Sequence, residues 1–123
     1  MTNINTFTLN DQEYSVDELF KLKTKTKTYL VSDLFPKLKR KTWGDYEEKY
    51  SPLQVINKPL NYNYEWERIQ NANLKYPILY WKEKKIIVDG LHRLAKAYLK
   101  DIKFIKVREV SNIEMEKVKI WSD

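Results

Sequence analysis

The sequence predicts an α+β fold in which a small mixed sheet is flanked by helices. Short runs rich in β-branched and aromatic residues alternate along the chain with segments of helical periodicity. The 123 residues fit one domain, so we assign 1–123 to a single unit. A hydrophobic content of 42% and an aromatic content of 14% favour a packed core over disorder.

The N-terminal segment predicts a strand, a turn and a helix. Asn5–Leu9 is predicted to be a strand that ends at the turn-forming pair Asn10–Asp11. Ser15 is the predicted N-cap of a helix that runs to about Lys23. Glu18, three residues after Ser15, would complete a capping box.

The middle of the chain predicts a strand followed by three helical segments. Thr28–Val31 consists of β-branched and aromatic residues and predicts a strand, and Asp33–Leu38 predicts one helical turn. Ser51–Asn57 predicts a helix because serine is a favourable cap and proline follows it in the first turn. Asn61 or Asn63 is expected to open a further helix that ends near residue 71.

The C-terminal part predicts a hairpin, a helix, a strand and a last helix. Pro77–Trp81 and Ile86–Val88 flank a polar turn and predict the hairpin. Gly90–Lys100 predicts a helix, and the alternating segment Lys103–Val107 predicts a half-buried strand. Asn112–Ile120 predicts the last helix, with Trp121 among its apolar positions.

Three residue counts exclude several kinds of site. The chain has two glycines, one histidine and no cysteine. A Rossmann fingerprint or a P-loop needs several glycines within a short stretch, whereas Gly44 and Gly90 are far apart. Zinc fingers, iron–sulfur clusters and thiol catalysis need cysteine, and an HExxH site needs two histidines. Any chemistry must therefore use carboxylates, hydroxyls, lysine, arginine or His92.

Three features of the sequence indicate the cellular compartment. No apolar run approaches the ~20 residues of a transmembrane helix, and the first residues lack the pattern of a signal peptide. The absence of cysteine fits a reducing environment. We therefore expect a cytoplasmic protein that does not enter a membrane, and the sequence leaves its oligomeric state open.

The positive charge is concentrated in one segment. The formal net charge is +6, and residues 21–41 contain eight bases and one acid. The bases are Lys21, Lys23, Lys25, Lys27, Lys37, Lys39, Arg40 and Lys41. Such a segment can attract DNA or another polyanion, and a solvated lysine-rich surface is an equally good interpretation.

The most informative segment joins a strand that ends at Asp89 to a helix that opens at Gly90. The start of a helix presents free N–H groups and binds anions, and glycine lets a ligand approach the backbone closely. Arg93 can hold a phosphate through two parallel hydrogen bonds, and His92 can transfer a proton near neutral pH. The apolar face of the helix is predicted to contain Leu91, Leu94, Ala95, Tyr98 and Leu99.

Each of these residues also has a simpler interpretation. Asp89 could hold Mg²⁺ against a phosphate or accept a proton from a substrate hydroxyl, or it could merely cap the helix. Arg93 could form a surface ion pair with Asp89 or Asp101. His92 could be an ordinary surface histidine.

The run YPILYWKEKKIIVDGLHRLAKAYLKDIKFIKV resembles the core of the ParB/sulfiredoxin superfamily. Members of that superfamily place a Gly-x-His-Arg box, or a related one, directly after a strand that ends in aspartate. The resemblance is specific over 77–107 and looser upstream, at LVSDLFP and ERIQNANL. It implies a compact α+β fold whose helix start holds nucleotide phosphates. Activities within the superfamily include DNA binding with CTP hydrolysis, nuclease activity, ATP-dependent repair of an oxidised cysteine and phosphorylation of free serine.

The resemblance also implies roles for single residues. Asp89 and His92 match catalytic positions, while the box Gly90–Arg93, which includes Leu91, matches the phosphate-binding positions. The implied ligand is ATP, ADP or CTP, with Mg²⁺. Leu91 replaces the cysteine of sulfiredoxins, so sulfiredoxin activity is excluded. The D-G-x-H-R form is most similar to kinase-type and stand-alone members, which need an upstream glutamate as base.

Five further residues are candidates for this site. The upstream base is expected among Asp45, Glu47 and Glu48. Trp43 could stack on a base or anchor its loop to the core. Arg68 could reach the same phosphate or form an i, i+3 pair with Glu65.

Three functions follow as hypotheses. The first is nucleotide-dependent phosphoryl transfer or nucleotide hydrolysis at Gly90–Arg93. The second is a DNA-binding or nuclease module that uses the basic segment 21–41. The third is a non-catalytic interaction protein, which a fully buried Asp89–Arg93 pair without an adjacent cavity would favour.

Overall fold

The computed structural model describes residues 5–22 and 25–120 and confirms the predicted α+β class with a mixed sheet and flanking helices. The central sheet has four strands in the order β3–β8–β6–β7. These strands are β3 (Thr26–Leu30), β6 (Ile78–Trp81), β7 (Ile86–Asp89) and β8 (Phe104–Val110). Strands β6 and β8 are parallel, and the other neighbours are antiparallel.

A second sheet of three short strands was only partly predicted. It contains β1 (Thr6–Leu9), β2 (Gln12–Ser15) and β9 (Lys119–Ile120) in the order β1–β2–β9. The prediction of a helix through Ile120 is wrong at its end, because residues 119–120 pair with β2 instead. Two more two-residue strands, β4 (Trp43–Gly44) and β5 (Lys49–Tyr50), form a separate hairpin that was also not predicted from the sequence.

The strand predicted at Thr28–Val31 ends at Leu30, and the helical turn predicted at Asp33–Leu38 already begins at Val31. Within the described residues six α-helices surround the sheets. They are α1 (Val16–Lys21), α2 (Val31–Leu34), α3 (Pro52–Asn57), α4 (Asn63–Asn71), α5 (Leu91–Leu99) and α6 (Asn112–Lys117). Two 3₁₀ turns, Phe35–Lys39 and Pro59–Asn61, follow α2 and α3. The predicted helix end at Lys23 and the apolar position Trp121 lie outside the described residues.

The hydrogen bonds at two helix starts differ from each other. At α3 the complete capping box exists, because Ser51 accepts from the Gln54 N–H while the Gln54 side chain accepts from the Ser51 N–H. At α1 Ser15 accepts from the Glu18 N–H, but the Ser15 N–H donates to the carbonyl of Val118. The Val118 carbonyl, directly before β9, therefore accepts the N–H that the predicted capping box would have used.

The central sheet separates two hydrophobic cores. Alternate residues of β6 point to opposite faces, so that Ile78 packs against the helices α2–α5 and Leu79 packs against the second sheet with α1 and α6. The same alternation in β7 puts Asp89 on the face of Ile87, which is the face covered by the helices. The end of β7 therefore meets the start of α5 in the helical layer.

The buried face of α5 is narrower than the periodicity predicts. Leu94, Ala95 and Ala97 are fully buried, and Leu91 packs partly against the same core. Tyr98 and Leu99, which were expected on this face, are each 40% exposed. The last turn of α5 is therefore buried at Ala97 and partly exposed at Tyr98 and Leu99.

No helix in the described part of the chain is long and apolar enough to cross a bilayer.

Two leucines of α5 provide a test of this packing. Leu94→Ala removes a fully buried side chain next to the sheet and is expected to lower the free energy of unfolding by about 2–5 kcal/mol. Leu99→Ala is the matched control in the same helix and is expected to cost about 1 kcal/mol or less, because Leu99 is already 40% exposed. Urea unfolding of both variants measures the difference, and equal losses would contradict the packing.

Candidate functional site

The junction between β7 and α5 depends on a glycine. Gly90 is the N-cap of α5 with φ = +107°, a left-handed conformation that side chains disfavour. A Cβ atom there would lie 2.6 Å from Nη1 of Arg93 and 3.1 Å from Cα of Ile78. No side chain of the described residues caps this helix. Its first N–H groups therefore lack intrahelical acceptors and remain available to a ligand.

Asp89 does not cap α5, although it stands directly before Gly90. Its Oδ2 atom accepts a hydrogen bond of 3.0 Å from Nη2 of Arg93, and Nη1 of Arg93 donates to the carbonyl of Pro77 at 3.0 Å. The ion pair considered for Arg93 thus exists, with Asp89 and not Asp101 as its partner. The side chains of Arg93 and Asp89 are 17% and 24% exposed and both border a cleft. The condition that would have favoured a non-catalytic protein is therefore not met.

His92 is held between two side chains from other parts of the chain. Its Nε2 atom lies 2.9 Å from Oε1 of Glu65, and the Trp43 ring stacks on the imidazole with centroids 4.3 Å apart and planes 16° apart. The interpretation of His92 as an ordinary surface histidine is wrong. Trp43 anchors its hairpin to this imidazole, which is the second of the two roles considered for it.

Glu65 is a site residue that was not predicted from the sequence. It is buried in α4 one turn before the buried Ile69, and Tyr50 Oη donates to its second oxygen at 3.4 Å. A glutamate on the apolar face of a predicted helix is the signal that could have identified it, because buried carboxylates need partners. Glu65 was expected only as a partner of Arg68.

The three carboxylates predicted upstream lie elsewhere. Asp45, Glu47 and Glu48 are exposed in the turn that joins β4 to β5. Oδ1 of Asp45 accepts from the N–H groups of Glu48 and Glu47, at 3.0 and 2.9 Å, and these bonds hold the pKa of Asp45 below its ordinary value. Within the described residues it is Glu65, and none of these three, that contacts His92.

The hairpin itself depends on the other glycine. Gly44 has φ = +103°, and a Cβ there would lie 2.2 Å from the backbone oxygen of Glu48. The tight turn pairs Trp43 with Tyr50 across the two strands. Gly44 therefore permits the fold that brings one ring to His92 and a hydroxyl to Glu65.

The surroundings of His92 favour its neutral form. Burial lowers the pKa of His92 and Arg68 lowers it further, and together these outweigh the opposing effects of Glu65 and Asp89. A neutral imidazole that donates its Nε2–H to the Glu65 carboxylate keeps Nδ1 free to accept a proton. The pair thus has the arrangement of a general base oriented by a carboxylate.

An open cleft of about 390 Å³ lies beside this pair. One wall is formed by Tyr64, Arg68 and Asn71, and the other by residues 89–93 except Leu91, whose side chain packs against the core. Arg68 donates to Tyr64 Oη at 3.2 Å; the structure shows this contact in place of the expected pair with Glu65. The two arginines of the cleft are balanced in formal charge by Asp89 and Glu67.

A larger cavity than this cleft lies elsewhere. It has about 540 Å³ and lies near the opposite end of α5, where Phe35, Tyr98 and Ile102 contribute to its lining. We assign the site to the smaller cleft because arginine, carboxylate and imidazole side chains lie together there, beside the uncapped start of α5. Size alone does not identify a site without convergent polar groups.

Asp89 does not belong to a preformed metal site. The described residues contain no group of three or more histidine, cysteine or acidic side chains able to hold a metal ion. Mg²⁺ is often held by one or two carboxylates together with substrate phosphates. Asp89 therefore fits the expected Mg²⁺ only when a ligand brings the phosphates.

The predicted basic segment is divided in the structure. Lys21 pairs with Glu18 at 3.1 Å and Lys27 with Glu109 at 2.9 Å, while Lys23 lies outside the described residues. Lys37 and Arg40 instead line a groove on the Leu91 side of α5. Burial, followed by the nearby charges of Arg40 and Lys85, lowers the pKa of Lys37. Two bases of the segment therefore lie at this groove, and neither is paired with an acid among the described residues.

No family model, curated protein or solved structure matches this chain.

The pKa of His92 predicts how stability depends on pH. Because it is lower in the folded protein than the ordinary value of about 6.5, the unfolded chain binds more protons between the two values. The stabilisation is complete above pH 6.5 and is lost as the pH falls through the folded pKa. We expect the free energy of unfolding to decrease from pH 7 to pH 5.

The control is His92→Gln, whose amide can still donate to Glu65. Since the chain has one histidine, this variant removes every imidazole and is expected to lose less stability over the same interval. Urea unfolding at successive pH values measures both profiles. Parallel profiles would contradict the prediction, because they would show that the pKa of His92 is the same in the folded and the unfolded chain.

Proposed function

We propose that the protein binds a nucleotide as its Mg²⁺ complex in the cleft at the start of α5 and catalyses phosphoryl transfer or hydrolysis there. The observation that supports this most is the uncapped start of α5, which opens beside the Glu65–His92 pair. The resemblance of residues 77–107 to the ParB/sulfiredoxin superfamily implies the same ligand class.

The phosphates would be held mainly by the backbone. The free N–H groups at Gly90–Arg93 and the positive end of the helix dipole attract an anion, and Gly90 leaves room for it. Arg93 is already oriented by Asp89 and by the Pro77 carbonyl, so little side-chain entropy would be lost when it meets a phosphate.

The balanced charge of the cleft favours a metal complex over a free polyphosphate. Glu67 and Asp89 would repel an uncompensated polyphosphate, whereas Mg²⁺ between Asp89 and the phosphates would remove this repulsion. Bound Mg²⁺ would also stabilise charge on the transferring group. Asp89 in this proposal orients the ion, and Arg93 keeps Asp89 in position.

His92 would then accept a proton from the attacking hydroxyl or water. The attacking oxygen bonds to the terminal phosphorus as the P–O bond to the rest of the nucleotide breaks, and the shortened nucleotide leaves with the electron pair. Burial keeps His92 neutral near pH 7, and Glu65 fixes which nitrogen carries the hydrogen. Proton transfer by such a positioned base typically contributes 10²–10⁴-fold to a rate. In this proposal His92 is thus the base, the role that was expected for Asp45, Glu47 or Glu48, and Glu65 orients it.

Calorimetric titration with ATP, ADP and CTP, with and without Mg²⁺, tests the binding. We expect binding that requires Mg²⁺, and a loss of about tenfold or more in Asp89→Asn, because charge-assisted contacts are worth about 1.5–3 kcal/mol. Asp33→Asn, an exposed acid of α2, is the matched control and should bind as the wild type does. His92→Gln should retain binding and lower phosphate release or transfer by 10²–10⁴-fold.

Two results would contradict the proposal. One is the absence of binding by all three nucleotides with Mg²⁺ present, and the other is turnover in His92→Gln at the wild-type rate. Circular dichroism of each variant shows whether it has kept the fold.

A second candidate function is DNA binding through the groove that Lys37 and Arg40 line. The specific observation is that Arg40 and Lys85 lie close to Lys37, whose pKa is lowered first by burial and then by these two charges, and that no described acid pairs with the three bases. Phosphate groups of a nucleic acid backbone would relieve this repulsion.

Gel-shift titration of duplex DNA at several salt concentrations tests this second candidate. The double variant Lys37→Gln/Arg40→Gln is expected to flatten the slope of log K against log salt by about two, because each cation removed from a phosphate lowers the slope by about one. Lys21→Gln/Lys27→Gln removes the same charge from paired lysines and should change the slope much less. The candidate is rejected when no DNA shifts at low salt or when both variants behave alike.

A further inference from the structure

Two tyrosines of the cleft have large exposed rings. Tyr64 is 68% exposed and Tyr76 is 53% exposed, and both line the cleft whose other wall is the start of α5. Large aromatic side chains usually contribute buried area, so two exposed rings beside a polar cleft indicate a surface that a ligand can cover.

Both rings are attached to ordered backbone. Tyr64 lies in α4, and the Arg68 guanidinium carbon lies 5.6 Å from its ring centroid while Nη1 donates to its hydroxyl. Tyr76 ends a tight turn in which its N–H donates to the carbonyl of Asn73, and Oδ1 of Asn73 accepts from the Lys75 N–H. In the part of the chain that the structure describes, the Tyr76 side chain has no hydrogen bond and no ring partner.

The cleft is lined by groups of two kinds. Free backbone N–H groups and the Asp89–Arg93 pair lie at the start of α5, while two exposed rings and the Asn71 amide line the cleft from other segments. Arg68 lies against the Tyr64 ring, and Tyr76 directly precedes the Pro77 carbonyl that accepts from Arg93. A nucleotide has the same division, with anionic phosphates at one end and a flat aromatic base at the other. A volume of about 390 Å³ lies in the range of small-ligand sites.

We infer that Tyr64 and Tyr76 form the subsite for the nucleobase of the nucleotide whose phosphates bind at the start of α5. This inference rests on the proposed function and adds the part of the ligand that the phosphate contacts do not explain. Any nucleobase can stack on an aromatic side chain, because every base has a flat π-face. The Asn71 amide can both donate a hydrogen bond to the edge of a base and accept one from it.

The experiment compares nucleotides with inorganic tripolyphosphate, which has the phosphates but no base. Titrations of ATP, CTP and tripolyphosphate are made with Mg²⁺ on the wild type, Tyr76→Ala and Tyr76→Phe. We expect the wild type to bind the nucleotides more tightly than tripolyphosphate. Tyr76→Ala should weaken nucleotide binding by about tenfold, the scale of stacking between one ring and one base, and leave tripolyphosphate unchanged.

Two variants provide the controls. Tyr76→Phe keeps the ring and should bind nucleotides nearly as the wild type does. Tyr46→Ala removes a fully exposed tyrosine from the β4–β5 turn, outside the cleft, and should change neither ligand.

The outcomes separate this inference from the proposed function. Equal affinity for nucleotides and tripolyphosphate, or no effect of Tyr76→Ala on nucleotides, overturns the base subsite and leaves phosphate binding supported. Binding of no ligand overturns the proposed function itself, and the base subsite with it.

Discussion

The hydrogen bond between Glu65 and His92 joins the parts of the structure that surround the cleft. It connects α4 to the first turn of α5, and each partner also holds one strand of the β4–β5 hairpin, through Tyr50 and Trp43. A buried carboxylate without a partner costs several kcal/mol, so the two helices and the hairpin must meet in a way that satisfies Glu65. The position of the cleft wall follows from this requirement.

The two glycines of the chain serve the same region, although they are far apart in sequence. Gly44 allows the hairpin to turn where a Cβ would meet backbone, and Gly90 allows β7 to pass into α5 beside Arg93 and Ile78. Both have positive φ, so a side chain at either position would be strained as well as crowded. The scarcity of glycine therefore does not argue against a phosphate site, because one glycine before a helix start is sufficient when the helix supplies the N–H groups.

Local features of the sequence were predictable, and features that depend on distant partners were not. The β6–β7 hairpin, the capped helix at Ser51 and the strand-to-helix junction at Gly90 each follow from adjacent residues, and the structure confirms them. Strand β9 has only two residues, and it exists because it pairs with β2 from the other end of the chain. Glu65 was missed for the same reason, since its burial depends on α5 and the hairpin. The periodicity of α5 gave the direction of its apolar face but not how far the core extends along it.

The Glu65–His92 pair has a chemical explanation as well as a structural one. Replacing a buried polar pair by apolar residues of similar volume is often neutral or stabilising, so packing alone gives little reason to place a carboxylate and an imidazole there. Their position beside an uncapped helix start, an oriented arginine and an open cleft gives such a reason. The burial that makes the pair costly for the fold also keeps the imidazole neutral and fixed, which is the state in which a base can act.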